Sequence, residues 1–86
     1  MSLDYIRDEI EKTDLRMLAL LQKRIALTTE AFIEKRDLGL PLEDLDREEN
    51  LIEETITIMR WPMDCQRVRT FYRNLINLCK LEAYKD

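Results

Sequence analysis

The sequence predicts an all-α fold, with three helices per chain, a first helix far longer than the others, and assembly as a homodimer. Residues Ser2 to Leu38 contain no Pro or Gly, are dense in Leu, Ile, Ala, Met, Lys, Arg and Glu, and repeat their apolar residues at helical spacing. The one glycine, Gly39, and the two prolines, Pro41 and Pro62, fall between the helical stretches. The composition, 45% hydrophobic and 37% charged, is that of a strongly helical soluble domain, which excludes a disordered chain. The 86 residues read as a single domain spanning 1–86.

On a wheel of about 100° per residue, Leu3, Ile6, Ile10, Met17, Leu21, Thr28, Ala31 and Phe32 share a broad face of the first helix. Arg24 and Lys35 lie near the centre of that face, within about 20° of each other, and Arg7 sits on its edge. A cation on a core-facing stripe needs an anionic partner, which a neighbouring side chain or a ligand can supply. Asp14 also points to this face, where a structural carboxylate pairing with a neighbouring helix end or cation accounts for it. Glu11, Lys12, Arg16, Lys23 and Glu30 form the solvated side.

The first helix should stop at Asp37-Leu38-Gly39-Leu40-Pro41, where a Gly terminator is followed by a Pro that cannot continue it. Asp44 or Asp46 then offers an N-cap, Asp46 and Glu49 having capping-box spacing. The second helix should run to about Met59 with Leu45, Leu51, Ile52, Thr55, Ile56 and Met59 inward and Glu48 in their midst. Trp61-Pro62 breaks the pattern, and Asp64 caps a third helix reaching about Tyr84. Its inward face reads as Val68, Phe71, Tyr72, Leu75, Leu78 and Cys79, with Glu82 next along that line.

Lengths set the assembly. The first helix should be about 50 Å long against roughly 24 and 33 Å for the others, so one chain cannot wrap it. An isolated chain of this shape leaves much apolar surface wet, and two long helices side by side in a homodimer cover it.

The net charge of −4 argues against a nucleic-acid partner, since phosphate backbones are held by surplus Lys and Arg. No apolar run can span a bilayer and no signal-peptide pattern is present, so no membrane partner and a cytoplasmic location are expected. Without any His, and with Cys65 and Cys79 far apart, the common zinc sites and the Ser/His and Cys/His nucleophile pairs are absent; the cysteines read as small apolar residues. The inward polar residues are Arg7, Arg24, Lys35, Asp44, Arg47, Glu48 and Glu82. An internal salt-bridge network accounts for them, and so does a small polyanionic ligand. Arg7 and Arg24 stand roughly 25 Å apart along one helix, so they meet one small molecule only if one comes from the other protomer.

These residues resemble the all-helical chorismate mutases. The resemblance rests on Ile6-Arg7-Asp8-Glu9-Ile10, Asp14, Leu18-Ala19-Leu20-Leu21-Gln22-Lys23-Arg24, Lys35, and Leu40-Pro41-Leu42-Glu43-Asp44-Leu45-Asp46-Arg47-Glu48, a little over half of the chain. It implies an intertwined dimer of three-helix protomers that rearranges chorismate to prephenate with no metal or cofactor. By position it implies that Arg24, and Arg7 from the partner chain, clamp substrate carboxylates, that Lys35 donates to the ether oxygen and a carboxylate, and that Glu48 accepts the substrate hydroxyl. Asp44 and Arg47 would hold that rim.

In the third helix the family places a small polar residue and, four positions on, a Gln that donates to the ether oxygen. Aligning on Tyr72 and Ile76 puts Cys79 and Ala83 there; aligning on Phe71 and Leu75 puts Leu78 and Glu82 there. A protonated Glu82 is the reading adopted as catalytic donor, with Cys79 as a substrate contact. The same scaffold also fits an isochorismate pyruvate-lyase, a 4-amino-4-deoxychorismate mutase, or a dimeric ligand-binding or structural module without catalysis.

Overall fold

The computed structural model describes residues 1–59 and 64–85, and among these all regular structure is helical: α1 Leu3–Asp37, α2 Leu45–Ile58 and α3 Cys65–Ala83. The break expected at Trp61-Pro62 lies outside the described residues. Each helix starts on a side chain that takes up orphan amide groups. Ser2 Oγ accepts from the Tyr5 amide at 3.1 Å, Asp44 Oδ1 from Arg47 at 3.0 Å, and Asp64 Oδ1 from Gln66 and Arg67 at 2.9 and 3.1 Å. Of the two candidates for the α2 cap, Asp44 is therefore the one used.

The end of α1 is a Schellman turn. The Gly39 amide donates to Arg36 O at 3.2 Å and the Leu40 amide to Lys35 O at 2.8 Å, with Gly39 at φ 69°. A side chain at Gly39 has open space but an unfavourable backbone, which is why glycine serves here. The turn ends α1 and leads into α2.

α3 packs on both α1 and α2. Glu43 meets Lys80, Glu49 meets Arg73 and Glu53 meets Arg69, so α2 and α3 run antiparallel along a charged seam. Phe32 meets Tyr84 with ring centroids 4.8 Å apart, tying the end of α3 to α1. The core is small: Ile52 of α2 is 1% exposed, and Ile76, Cys79 and Ala83 of α3 are buried. No residue of α1 is fully buried.

The chain is extended and exposes much surface. The radius of gyration is 16.1 Å and the extents are 55 × 28 × 16 Å, whereas a compact chain of this length has a radius of about 12 Å. The accessible surface of 7411 Å² exceeds the roughly 5,400 Å² expected for a compact protein of this mass by about 2,000 Å². Met17, Leu18, Leu20, Phe71 and Leu78 are among the exposed apolar residues. Together with Leu21, Asn74, Leu75 and the stem of Arg24 they line a second, apolar groove between α1 and α3.

Candidate active site

A cavity of about 370 Å³ lies between the second half of α1, the start of α2 and α3, within the range that takes a small molecule. α1 contributes Arg24, Leu27, Thr28, Ala31, Phe32 and Lys35; the turn and α2 contribute Leu42, Arg47, Glu48 and Leu51. α3 contributes Tyr72, Ile76, Lys80 and Tyr84, four residues at a spacing of four and hence one helix face.

The wall is strongly cationic for a chain of net charge −4: Arg24, Lys35, Arg47 and Lys80 face the single carboxylate of Glu48. Among the described residues no carboxylate lies within ion-pairing distance of Arg24, Lys35 or Arg47. Lys35 Nζ donates to the backbone oxygen of Leu42 at 3.3 Å, linking α1 to the α1–α2 turn. The Arg24 backbone carbonyl accepts from Thr28 Oγ1 at 2.8 Å, and its side chain also borders the apolar groove.

Lys80 is held from two sides. Its ammonium pairs with Glu48 and with Glu43 Oε1, the latter at 3.2 Å, and its side chain is only 15% exposed. Burial works to lower its pKa, but the hydrogen bonds it donates to Glu48 and Glu43 outweigh this and hold the group above the usual lysine value, so it is charged at neutral pH.

The structure therefore brings Arg24, Lys35, Arg47 and Glu48 together and leaves the other candidates apart. Asp44 acts as the α2 N-cap, aligning the backbone that carries Arg47 and Glu48. Arg7 is exposed near the other end of α1. Glu82 lies outside this cavity, 42% exposed, with Lys85 Nζ at 3.5 Å. Cys79 is fully enclosed in the core and is not among the residues lining this cavity. Ala83 is likewise buried and has no donor to offer.

The reason is that α3 carries two apolar stripes. One, Ile76, Cys79 and Ala83, packs within the chain; the other, Phe71, Leu75 and Leu78, lines the apolar groove. Taking both as one face centres the helix between them and brings in Glu82, which is about 160° from Lys80 on the wheel. The signal that finds Lys80 is the 72-76-80-84 spacing. Among the described residues no group of three or more Cys, Asp or Glu side chains is placed to hold a metal ion, and no helix is long and apolar enough to cross a membrane.

Comparison with known proteins agrees with this architecture. The fold is similar to form II of the chorismate mutase from Thermus thermophilus, with a TM-score of 0.89 and 25% identity over 98% of this chain and 97% of that one. It is also similar to form I of the same enzyme, with a TM-score of 0.86 and 23% identity over 90% and 96% of the two chains. No curated relative matches the sequence. The family model for chorismate mutase type II matches residues 6–84, a span that takes in all three helices and every wall of the cavity, and the chain belongs to that family.

Proposed function

We propose that the chain rearranges chorismate to prephenate in the cavity between α1, α2 and α3, acting as an isomerase on a small dicarboxylate. The observation that carries this is the set of cations lining the cavity, Arg24 and Lys35 from α1 and Arg47 from α2, with no ion-pairing carboxylate among the described residues. Cations in a partly enclosed site call for an anion, and family membership supports which anion that is.

The chemistry asks little of the protein in the way of reactive groups. In this pericyclic step the ether C–O bond breaks as a C–C bond forms, and no proton or electron passes to the enzyme. Two services remain. The flexible substrate is held in its compact reactive shape, an entropic contribution, and the negative charge that grows on the ether oxygen is met by donors. Only interactions stronger in the transition state than in the ground state raise the rate.

Arg24 clamps a carboxylate through its planar fork, as does Arg7 from the partner chain. Lys35 donates to the ether oxygen and a carboxylate. Glu48 accepts the substrate hydroxyl with the carboxylate oxygen that Lys80 leaves free, and Arg47 with its Asp44-capped backbone steadies that rim.

The active unit is an intertwined homodimer in the cytoplasm, without nucleic acid or membrane as partner. The excess surface of about 2,000 Å² falls in the range that obligate dimers bury. The apolar groove of Met17, Leu18, Leu20, Phe71 and Leu78 runs up to Arg24 at the cavity, so a partner helix seated there reaches the site.

The test is turnover of chorismate by the purified protein between pH of about 4.5 and 8, with isochorismate and 4-amino-4-deoxychorismate assayed in parallel. Prephenate as the product from chorismate is expected. No turnover of chorismate across that range sinks the proposal, and faster turnover of either other substrate reassigns it.

A further inference from the structure

We infer that Lys80 is a catalytic residue, supplying the third-helix donor to the ether oxygen of the substrate. The inference rests on the mutase reading above and goes beyond it in naming a residue that neither the family pattern nor the apolar periodicity of α3 selects.

Cys79 is fully enclosed, Ala83 has no polar side chain, and Glu82 stands outside the cavity beside Lys85. The cavity-facing donors of α3 are Tyr72, Lys80 and Tyr84. The Tyr84 ring is occupied against Phe32 near the end of the helix, and both tyrosines are neutral donors. Lys80 alone carries a charge, and a charge-assisted hydrogen bond is roughly twice as strong as a neutral one.

A lysine ammonium has three N–H groups. Glu43 and Glu48 take two of them, leaving one for a molecule in the cavity. The two carboxylates also fix the ammonium in advance, so no reorganisation is needed as charge develops beside it, which is what makes electrostatic stabilisation effective. Lys35 and Lys80 both line the cavity, and each donates to the α1–α2 turn, Lys35 to the Leu42 carbonyl at 3.3 Å and Lys80 to the Glu43 carboxylate at 3.2 Å. With both lysines on the lining, a substrate in the cavity has an ammonium donor from α1 and another from α3.

The experiment compares Lys80→Met, Lys80→Gln and Lys80→Arg with the wild-type protein. Steady-state kinetics are measured together with inhibition by two probes: a bicyclic ether diacid shaped like the transition state, and its analogue with methylene in place of the ether oxygen. Lys80→Met is expected to lower kcat by about 100-fold or more while KM moves by only a few-fold. Its preference for the ether probe over the methylene probe should fall by about 10-fold, the worth of a charged hydrogen bond. Lys80→Gln, still a donor, should retain more kcat than Lys80→Met, and Lys80→Arg more again.

Three results overturn the inference. One is a probe preference unchanged in Lys80→Met, since a residue that only supports the fold weakens both probes alike. Another is equal kcat loss in the Met and Gln variants. The third is a kcat that holds or rises as Lys80 is removed, which makes Lys80 a competitor for Glu48. Helicity and sedimentation identify a misfolded Met variant, and the Gln and Arg variants then decide. Absence of turnover in the wild-type protein refutes the mutase reading itself, a different outcome from any of these.

Discussion

The two halves of α1 carry the same kind of sequence and meet different surroundings. From Leu21 onward, half-buried positions recur at Arg24, Ile25, Thr28, Thr29, Phe32 and Lys35, because α3 packs against them and the cavity opens there. Before Leu21 the side chains are exposed except for Glu9, although Leu3, Ile6, Ile10 and Met17 belong to the same apolar stripe. An amphipathic pattern states that a face must be covered and is silent on which chain covers it. The second half is covered by its own chain. In the proposed assembly the first half is covered by another.

The largest effects should come from testing whether the two halves serve one site. Arg24→Ala removes a clamp from the second half and Arg7→Ala one from the first, and each is expected to reduce kcat/KM by about 100- to 1,000-fold. If Arg7 crosses the interface, a mixture of the two inactive variants forms heterodimers with one intact site and one doubly deficient site. Refolding the variants together should restore about a quarter of wild-type activity. A mixture that stays inactive while forming heterodimers separates Arg7 from the partner's cavity.

The helices themselves are legible because their signals are local. Gly39, Pro41 and the caps Asp44 and Asp64 each act within a turn of their own position, and the observed bounds follow them closely. The clustering of Arg24, Lys35, Arg47 and Glu48 is legible because a charge on an apolar stripe conflicts with the pattern around it. Lys80 is not. It lies on the flank of a helix with two apolar stripes, and only the packing of α3 between α1 and α2 decides which flank faces the cavity. Glu82 reads as an inward residue through the same ambiguity.

The next effect sharpens the contrast in stability. Leu18→Glu puts a charge into the apolar groove and should dissociate the dimer, since an exposed Leu that becomes buried contributes about 1.5–3 kcal/mol and symmetry doubles the loss. Sedimentation velocity reads this directly. Ile52→Ala acts inside one chain: Ile52 is 1% exposed, and its truncation should cost about 2–5 kcal/mol. Denaturant titration should show that loss with the dimer still formed under native conditions. If Leu18→Glu leaves the sedimentation coefficient unchanged, the first half of α1 is not an interface.

The smallest effect belongs to the charged seam between α2 and α3. Arg69 donates to Glu53 through two contacts of 3.1 and 3.2 Å, and this hydrogen bonding, only partly opposed by desolvation, lowers the Glu53 pKa from its ordinary 4.5. A carboxylate with a lowered folded-state pKa contributes stability above its unfolded pKa and loses it as pH falls through the folded one. The Lys80 pKa is raised, so its contribution is complete below 10.5 and fades only at higher pH. Between those limits the Glu53 and Lys80 contributions should not vary with pH. The Glu53–Arg69 side chains are 57% and 33% exposed, which screens their attraction. Glu53→Gln should therefore lower Tm by no more than about 2 °C at neutral pH. That difference should shrink in about 0.5 M salt and vanish well below pH 4.5. A larger drop, or a change in oligomeric state, places Glu53 at a contact between chains and moves the boundary between self-covered and partner-covered surface from α1 onto α2.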